Sequence, residues 1–195
     1  MDGLYIPFSS QRKLLHLARQ ALEGFVRNAL RLRAEIDDPY LQIRDRGVFV
    51  SLHKKGELRG CIGIISASGP LYETVIDMTE AAASRDNRVK PVRESELDKI
   101  NLDISILSRL EPTDQPLSLV VGRHGVHVAQ GLCHGLLLPQ VAAEYRWDTR
   151  TFLEQTCVKA GLCKDAWQEE GTHVSSFTAL VIEEQPWNGA VSSGS

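Results

Sequence analysis

Apolar residues in the stretch 9–36, "SSQRKLLHLARQALEGFVRNALRLRAEI", recur at three- and four-residue steps through Leu14, Leu17, Ala18, Ala21, Leu22, Phe25 and Ala29. That period predicts one long amphipathic helix. Ser9 or Ser10 is the expected N-cap, since a hydroxyl there accepts from the first free backbone N–H groups. The opposite stripe carries Arg12, His16, Arg19, Glu23, Arg27 and Arg31, which reads as a solvated face or as a surface for RNA. The period then drops to two. "GVFVSLHKKGELRGCIGII" predicts two strands joined by a hairpin turn at Lys54-Lys55-Gly56-Glu57.

Pro70 suits the first turn of a second helix, 70–86, with Leu71, Val75, Met78 and Ala82 on one face. "INLDISILSRL" alternates again, placing Leu102, Ile104 and Ile106 on one side and Asp103, Ser105 and Leu107 on the other. Residues 117–141 are strand-like and punctuated by glycine. Asp148 caps a third predicted helix, 149–162, ended by Gly161. A last strand is expected over 172–186, closed by Pro186, before a small polar tail at about 188–195 in which no order is expected. Helices and strands mix without steady βαβ alternation. The expected class is therefore α+β, a mainly antiparallel sheet packed with helices.

At 195 residues the chain suits a single domain that needs no metal or disulfide to hold its core. Its four cysteines form no C-x-x-C pair and read as free thiols. A net charge of −3 offers no electrostatic case for wholesale nucleic-acid binding. No apolar run approaches the roughly 20 residues of a membrane span. The opening "MDGLYIPFSS" lacks the basic start of a signal peptide, so a cytoplasmic protein is expected. Phosphate-binding loops, dinucleotide fingerprints, H-E-x-x-H and G-x-S-x-G are absent, and no cofactor is expected.

Candidate chemistry centres on "LRGCIG", 58–63. Strict alternation puts Arg59, Cys61 and Gly63 on one face, and Leu58, Ile62 and Ile64 on the other, with Gly60 removing bulk there. Glycine inside a strand marks a bulge or a close ligand approach, so Gly60 and Gly63 join Arg59 as candidate binding residues. Arginine beside a thiol lowers its pKa and activates it, whereas apolar burial leaves it inert. Cys61 thus has two open readings, a nucleophile or a small core residue. His124 in "GRHG" is a candidate base for that thiol, or a turn histidine bonded to backbone. Glu144, three residues before Trp147, is a candidate general acid or anion-repelling wall, or a surface carboxylate paired with Arg146 or Arg150. A zinc set of His124, His127, Cys133 and His134 fails because neighbouring members alternate faces on a strand, and no metal is expected.

The hexapeptide resembles the hallmark of the AMMECR family. The likeness continues in order through "GPL", "AAASRDNRVKPV", "ELDKINLDISIL", "GRHGVHV", "GLLLPQVAAEYRWD", "FLEQTCVKAGL" and "DAW", over about 47–184. Two departures stand out. Asn87 and Val89 replace the proline and phenylalanine of an Asp-Pro-Arg-Phe segment, which bears on that turn's rigidity, and Cys163 replaces a proline. The resemblance implies a single AMMECR-type domain with two subdomains and a groove lined by the hexapeptide. It further implies a place beside a Memo-like protein and a radical SAM enzyme. The expected function is a pocket at Cys61 that binds or acts on a small anionic metabolite, a cysteine-dependent enzyme in the catalytic version. The alternative is a non-catalytic adaptor for a partner protein or RNA.

Overall fold

The first helix, α1 (Phe8–Asn28), stops eight residues short of the predicted end. Ala29 adopts a left-handed conformation and its N–H closes back on Phe25, with Leu30 N–H on Gly24, so the chain leaves the helix there. Tertiary contacts outweigh helix propensity over the next few residues: Arg31 pairs with Asp77, and the Leu32 N–H donates to Glu80. The N-cap also differs from expectation. Pro7 occupies it without a side-chain bond, while Ser10 lies inside the helix and donates to Asp38 at 3.0 Å.

The computed structural model describes residues 4–184, and they divide into two compact units. The first comprises Ile6–Ile106 and the chain from Val181. Its sheet has strand order β2-β1-β3-β8, with β1 (Arg46–Lys54), β2 (Glu57–Ala67), β3 (Ile100–Leu107) and the final residues of β8 (Ala179–Glu183). Helix α2 (Leu71–Ser84) packs on β1 and β2, and α1 packs on α2. Val48, Val50, Leu52, Leu102, Ile104 and Ile106 are fully buried, so the alternation read in these strands is the alternation observed.

The second unit, mainly Leu107–Leu180, has strand order β4-β7-β5-β6, with β4 (Glu111–Pro112), β5 (Gly125–Gln130), β6 (Cys133–Leu137) and β7 (His173–Phe177). Helices α3 (Pro139–Glu144) and α4 (Thr149–Lys159) accompany it. Val126, Val128, Phe152, Leu153, Cys157 and Val174 form its core. Asp148 caps α4 by accepting from Thr151 N–H at 2.7 Å, and Gly161 follows at φ 78°, both as the sequence predicts. The expected final strand is instead two. Thr178 turns its backbone to Ser108, donating N–H to Oγ and accepting from the Ser108 N–H, so β7 and β8 enter different sheets. Pro186 and the polar tail lie outside the described residues. The class is α+β, two antiparallel sheets packed with helices, as the mixed pattern predicts.

Candidate functional site

The β1–β2 turn sets the register of the site. Lys55 and Gly56 both have positive φ, 56° and 83°, the backbone of a two-residue hairpin turn whose twist matches its strands. Pairing then runs Lys54 to Glu57 and His53 to Leu58, but Leu52 pairs with Gly60. Arg59 is the extra residue of a bulge. Beyond it Ser51 faces Cys61 and Phe49 faces Gly63. On the other side of β1, Ser51 pairs with Asp103, His53 with Asn101 and Phe49 with Ser105. One sheet face therefore carries three rows: Gly63–Phe49–Ser105, Cys61–Ser51–Asp103 and Leu58–His53–Asn101.

Three expectations are corrected by this geometry. The bulge moves Leu58 to the Cys61 face, because a one-residue insertion reverses alternation. Arg59 is committed elsewhere: Nε and Nη2 donate to Glu96 at 3.1 and 2.9 Å, and the guanidinium also donates to the Lys90 and Pro91 carbonyls. Arg59 and then Lys54 hold the Glu96 carboxyl well below its usual range. Arg59 is thus a structural tie, with a basic depression of about 310 Å³ beside it that Lys90 and Arg93 also line. The glycines answer to packing. A Cβ on Gly60 would lie 2.5 Å from the Ala82 carbonyl oxygen of α2, and one on Gly63 would land in the Phe49 ring. The slot expected beside Cys61 is filled by that ring.

What surrounds Cys61 is different and richer. The residue is half-buried. Ser51 Oγ lies 3.5 Å from its sulfur. Ser51 stands opposite Asp103 of β3, and His53 Nε2 lies 2.6 Å from Asp103 Oδ1. Burial raises the Asp103 pKa, outweighing the downward pull of His53 and Ser51. On the outer side β2 is an edge strand, and a side-chain pair occupies its free backbone groups. Cys61 N–H donates to Asp86 Oδ2 at 2.9 Å, and Arg88 Nη2 donates to the Cys61 carbonyl at 3.1 Å. Arg88 also grips Asp86 through both carboxylate oxygens, which holds that carboxyl far below its usual range. The Arg88 guanidinium lies within electrostatic reach of the Cys61 sulfur. The cation beside the thiol is therefore Arg88.

His124 and Glu144 belong to the other unit. His124 Nδ1 accepts from the Val120 N–H at 3.0 Å, the backbone-bonded turn arrangement rather than that of a base, and burial pushes its imidazole pKa down. Glu144 ends α3 on the exposed surface, whereas Trp147 packs on the core; Arg146, at φ 55°, separates them. The rings of His127 and His134 stack at 5.8 Å, and among the described residues no group of three or more His, Cys, Asp or Glu is arranged to hold a metal ion.

Ser51, His53 and Asp103 were legible as polar positions on their strands, and Asp86 and Arg88 as members of the "SRDNRV" segment. Their convergence on Cys61 was not, since nothing local says that β3 lies beside β1. The departure at Asn87 leaves the turn firm by another route, because Asp86 Oδ1 accepts the Arg88 N–H at 3.1 Å.

An α+β molecule with a thiol on a polar sheet face is the class these features define. The family is established by comparison: the AMMECR1 family model matches residues 15–182, and the chain belongs to that family. A protein of Methanothermobacter thermautotrophicus is 42% identical over 188 residues, covering 92% of this chain and 98% of its own. A Thermococcus onnurineus protein is 42% identical over 188 residues, covering 91% and 92%. The crystal structure of uncharacterized protein PH0010 from Pyrococcus horikoshii matches with a TM-score of 0.83 and 37% identity, covering 89% of this chain and 91% of that one.

Proposed function

We propose that the sheet face bearing Cys61 is a thiol site that binds or acts on a small anionic metabolite. Cys61 is its nucleophile or covalent anchor, and Arg88, paired with Asp86 and largely exposed, is the cation that attracts the anion. One observation carries the reading: a half-buried thiol flanked by a hydroxyl, a carboxylate–imidazole pair and a guanidinium, all held by one sheet and its edge. Cys157 supplies the contrast within the same chain. It is fully buried among apolar side chains, and that burial pushes its thiol pKa up, the environment of an inert cysteine.

The test is carbamidomethylation of the intact protein at pH 7, mapped by mass spectrometry, with a thermal-shift screen of anionic metabolites beside it. Cys61 is expected to react stoichiometrically and faster than Cys157. A ligand at 100 times its Kd is expected to add about 2.7 kcal/mol of stability, a shift lost in Cys61→Ala. An unreactive Cys61 together with an empty screen sinks the proposal.

The Memo-like protein and radical SAM enzyme belong to this reading as neighbours that supply or consume the metabolite. Capture of either that persists in Cys61→Ser, without thiol reactivity, favours the adaptor alternative. The RNA version through α1 has less to work with than its sequence suggests. Arg19 is committed to Glu184 and to backbone carbonyls, and Arg27 to Glu23 and Glu94. No described helix is long and apolar enough to cross a membrane.

A further inference from the structure

Resting on that thiol reading, we infer that Asp103, reached through Ser51 and steadied by His53, is the proton acceptor for Cys61. Adjacent strands stand about 4.8 Å apart, so two strand spacings separate the thiol's position from the carboxylate's, too far for a direct hydrogen bond. Ser51 sits between them, paired with Cys61 on one side and with Asp103 on the other. Its hydroxyl has one hydrogen and two acceptor lone pairs. At rest the hydroxyl donates to the Cys61 sulfur at 3.5 Å; in the relay it turns that hydrogen to the Asp103 carboxylate and its oxygen takes the thiol's proton. His53 Nε2, 2.6 Å from Asp103 Oδ1, holds one oxygen of the carboxylate. At 36% side-chain exposure, against 20% for Asp103, His53 is the outlet through which the proton reaches water.

In the step itself the S–H bond breaks and its proton passes to Ser51 Oγ as the Ser51 hydrogen passes to Asp103. The sulfur lone pair forms a bond to an electrophilic carbon, and that carbon's leaving group departs with its own electron pair. With iodoacetamide as the electrophile, iodide leaves and the proton is released to solvent through His53. Charges around the row act in opposite senses. At the edge stands the Arg88–Asp86 ion pair, while across β1 Asp103 and Glu183, whose charge bears on Asp103, are negative neighbours that repel a developing anion if they act only as charges. A relay and a like-charge neighbour therefore predict opposite signs for removal of the Asp103 carboxylate.

The experiment follows iodoacetamide labelling of Cys61 by peptide mass mapping from pH 5 to 9, in the native chain and in Ser51→Ala, Asp103→Asn, His53→Asn and the Ser51→Ala/Asp103→Asn pair. A relay predicts that Ser51→Ala and Asp103→Asn each slow labelling at neutral pH about tenfold, a modest share of what a positioned base contributes. It also predicts that the double variant is no slower than either alone, and that His53→Asn shifts the pH profile. The melting curve of each variant is the folding control, since every altered residue lies in the first unit. Two variants at different positions on the path guard against one that fails to fold. Labelling that is unchanged or faster in Asp103→Asn overturns the relay and leaves the thiol site standing. An inert Cys61 in the native chain overturns both.

Discussion

Asp86 is the side chain on which the edge beside Cys61 depends. It is buried, yet it accepts from the Cys61 N–H, the Arg88 N–H and the Arg88 guanidinium. Stripping a buried charged acceptor from such partners costs about 1–3 kcal/mol, so Asp86→Ala is expected to lower stability at pH 7 by that order. The pH dependence has a definite sign. Arg88 depresses the folded-state pKa, so the carboxylate's contribution is fully present above the unfolded value, about 3.9, and is lost as pH falls below it. Denaturant midpoints of the two proteins should therefore converge between pH 5 and pH 2. A gap that holds constant over that range would show that ionised Asp86 is not the source. Strand alternation alone puts Arg59 beside the thiol, whereas the cation found there is Arg88. The bulge and the pull of Glu96 account for the exchange.

Glycine meets an aromatic ring in both sheets. Gly63 faces Phe49 on the β2–β1 pair, and Gly125 faces Phe177 on the β5–β7 pair; in each a Cβ would fall within the opposing ring. Overpacking of this kind costs about 1–3 kcal/mol, and Gly63→Ala should show it in the denaturation midpoint. Combining it with Phe49→Leu, which withdraws the ring, should recover part of the loss as a coupling of about 0.5–3 kcal/mol. Strict additivity would mean that the ring is not what Gly63 accommodates. Gly60→Ala should be costly for another reason, because its obstacle is the α2 backbone at Ala82, which cannot rotate away. The hairpin, α2 and the α4 cap were readable because period and capping are local. The end of α1 was not, because contacts with α2 set it.

Distant parts of the chain meet at Glu184, which receives Arg19 from α1 and the Leu102 N–H from β3. Arg19 and Glu184 are each about four-fifths buried, so Glu184→Ala leaves a guanidinium with carbonyl partners alone. A loss of about 1–3 kcal/mol is expected. At about 2–4 °C for each kcal/mol in a chain of this size, a melting curve will resolve it, and an unchanged Tm would rule the contact out as a support. Such a contact, 165 positions apart in the chain, leaves no local signature. The amino-acid order did settle strand alternation, the hairpin turn, the α4 cap and the α+β class, because each follows from neighbours a few positions away. Strand order, the bulge at Arg59 and the gathering of Ser51, His53 and Asp103 beside that thiol were settled by folding. Which strand lies next to which depends on burial summed over the chain, and that sum is not written in any one segment.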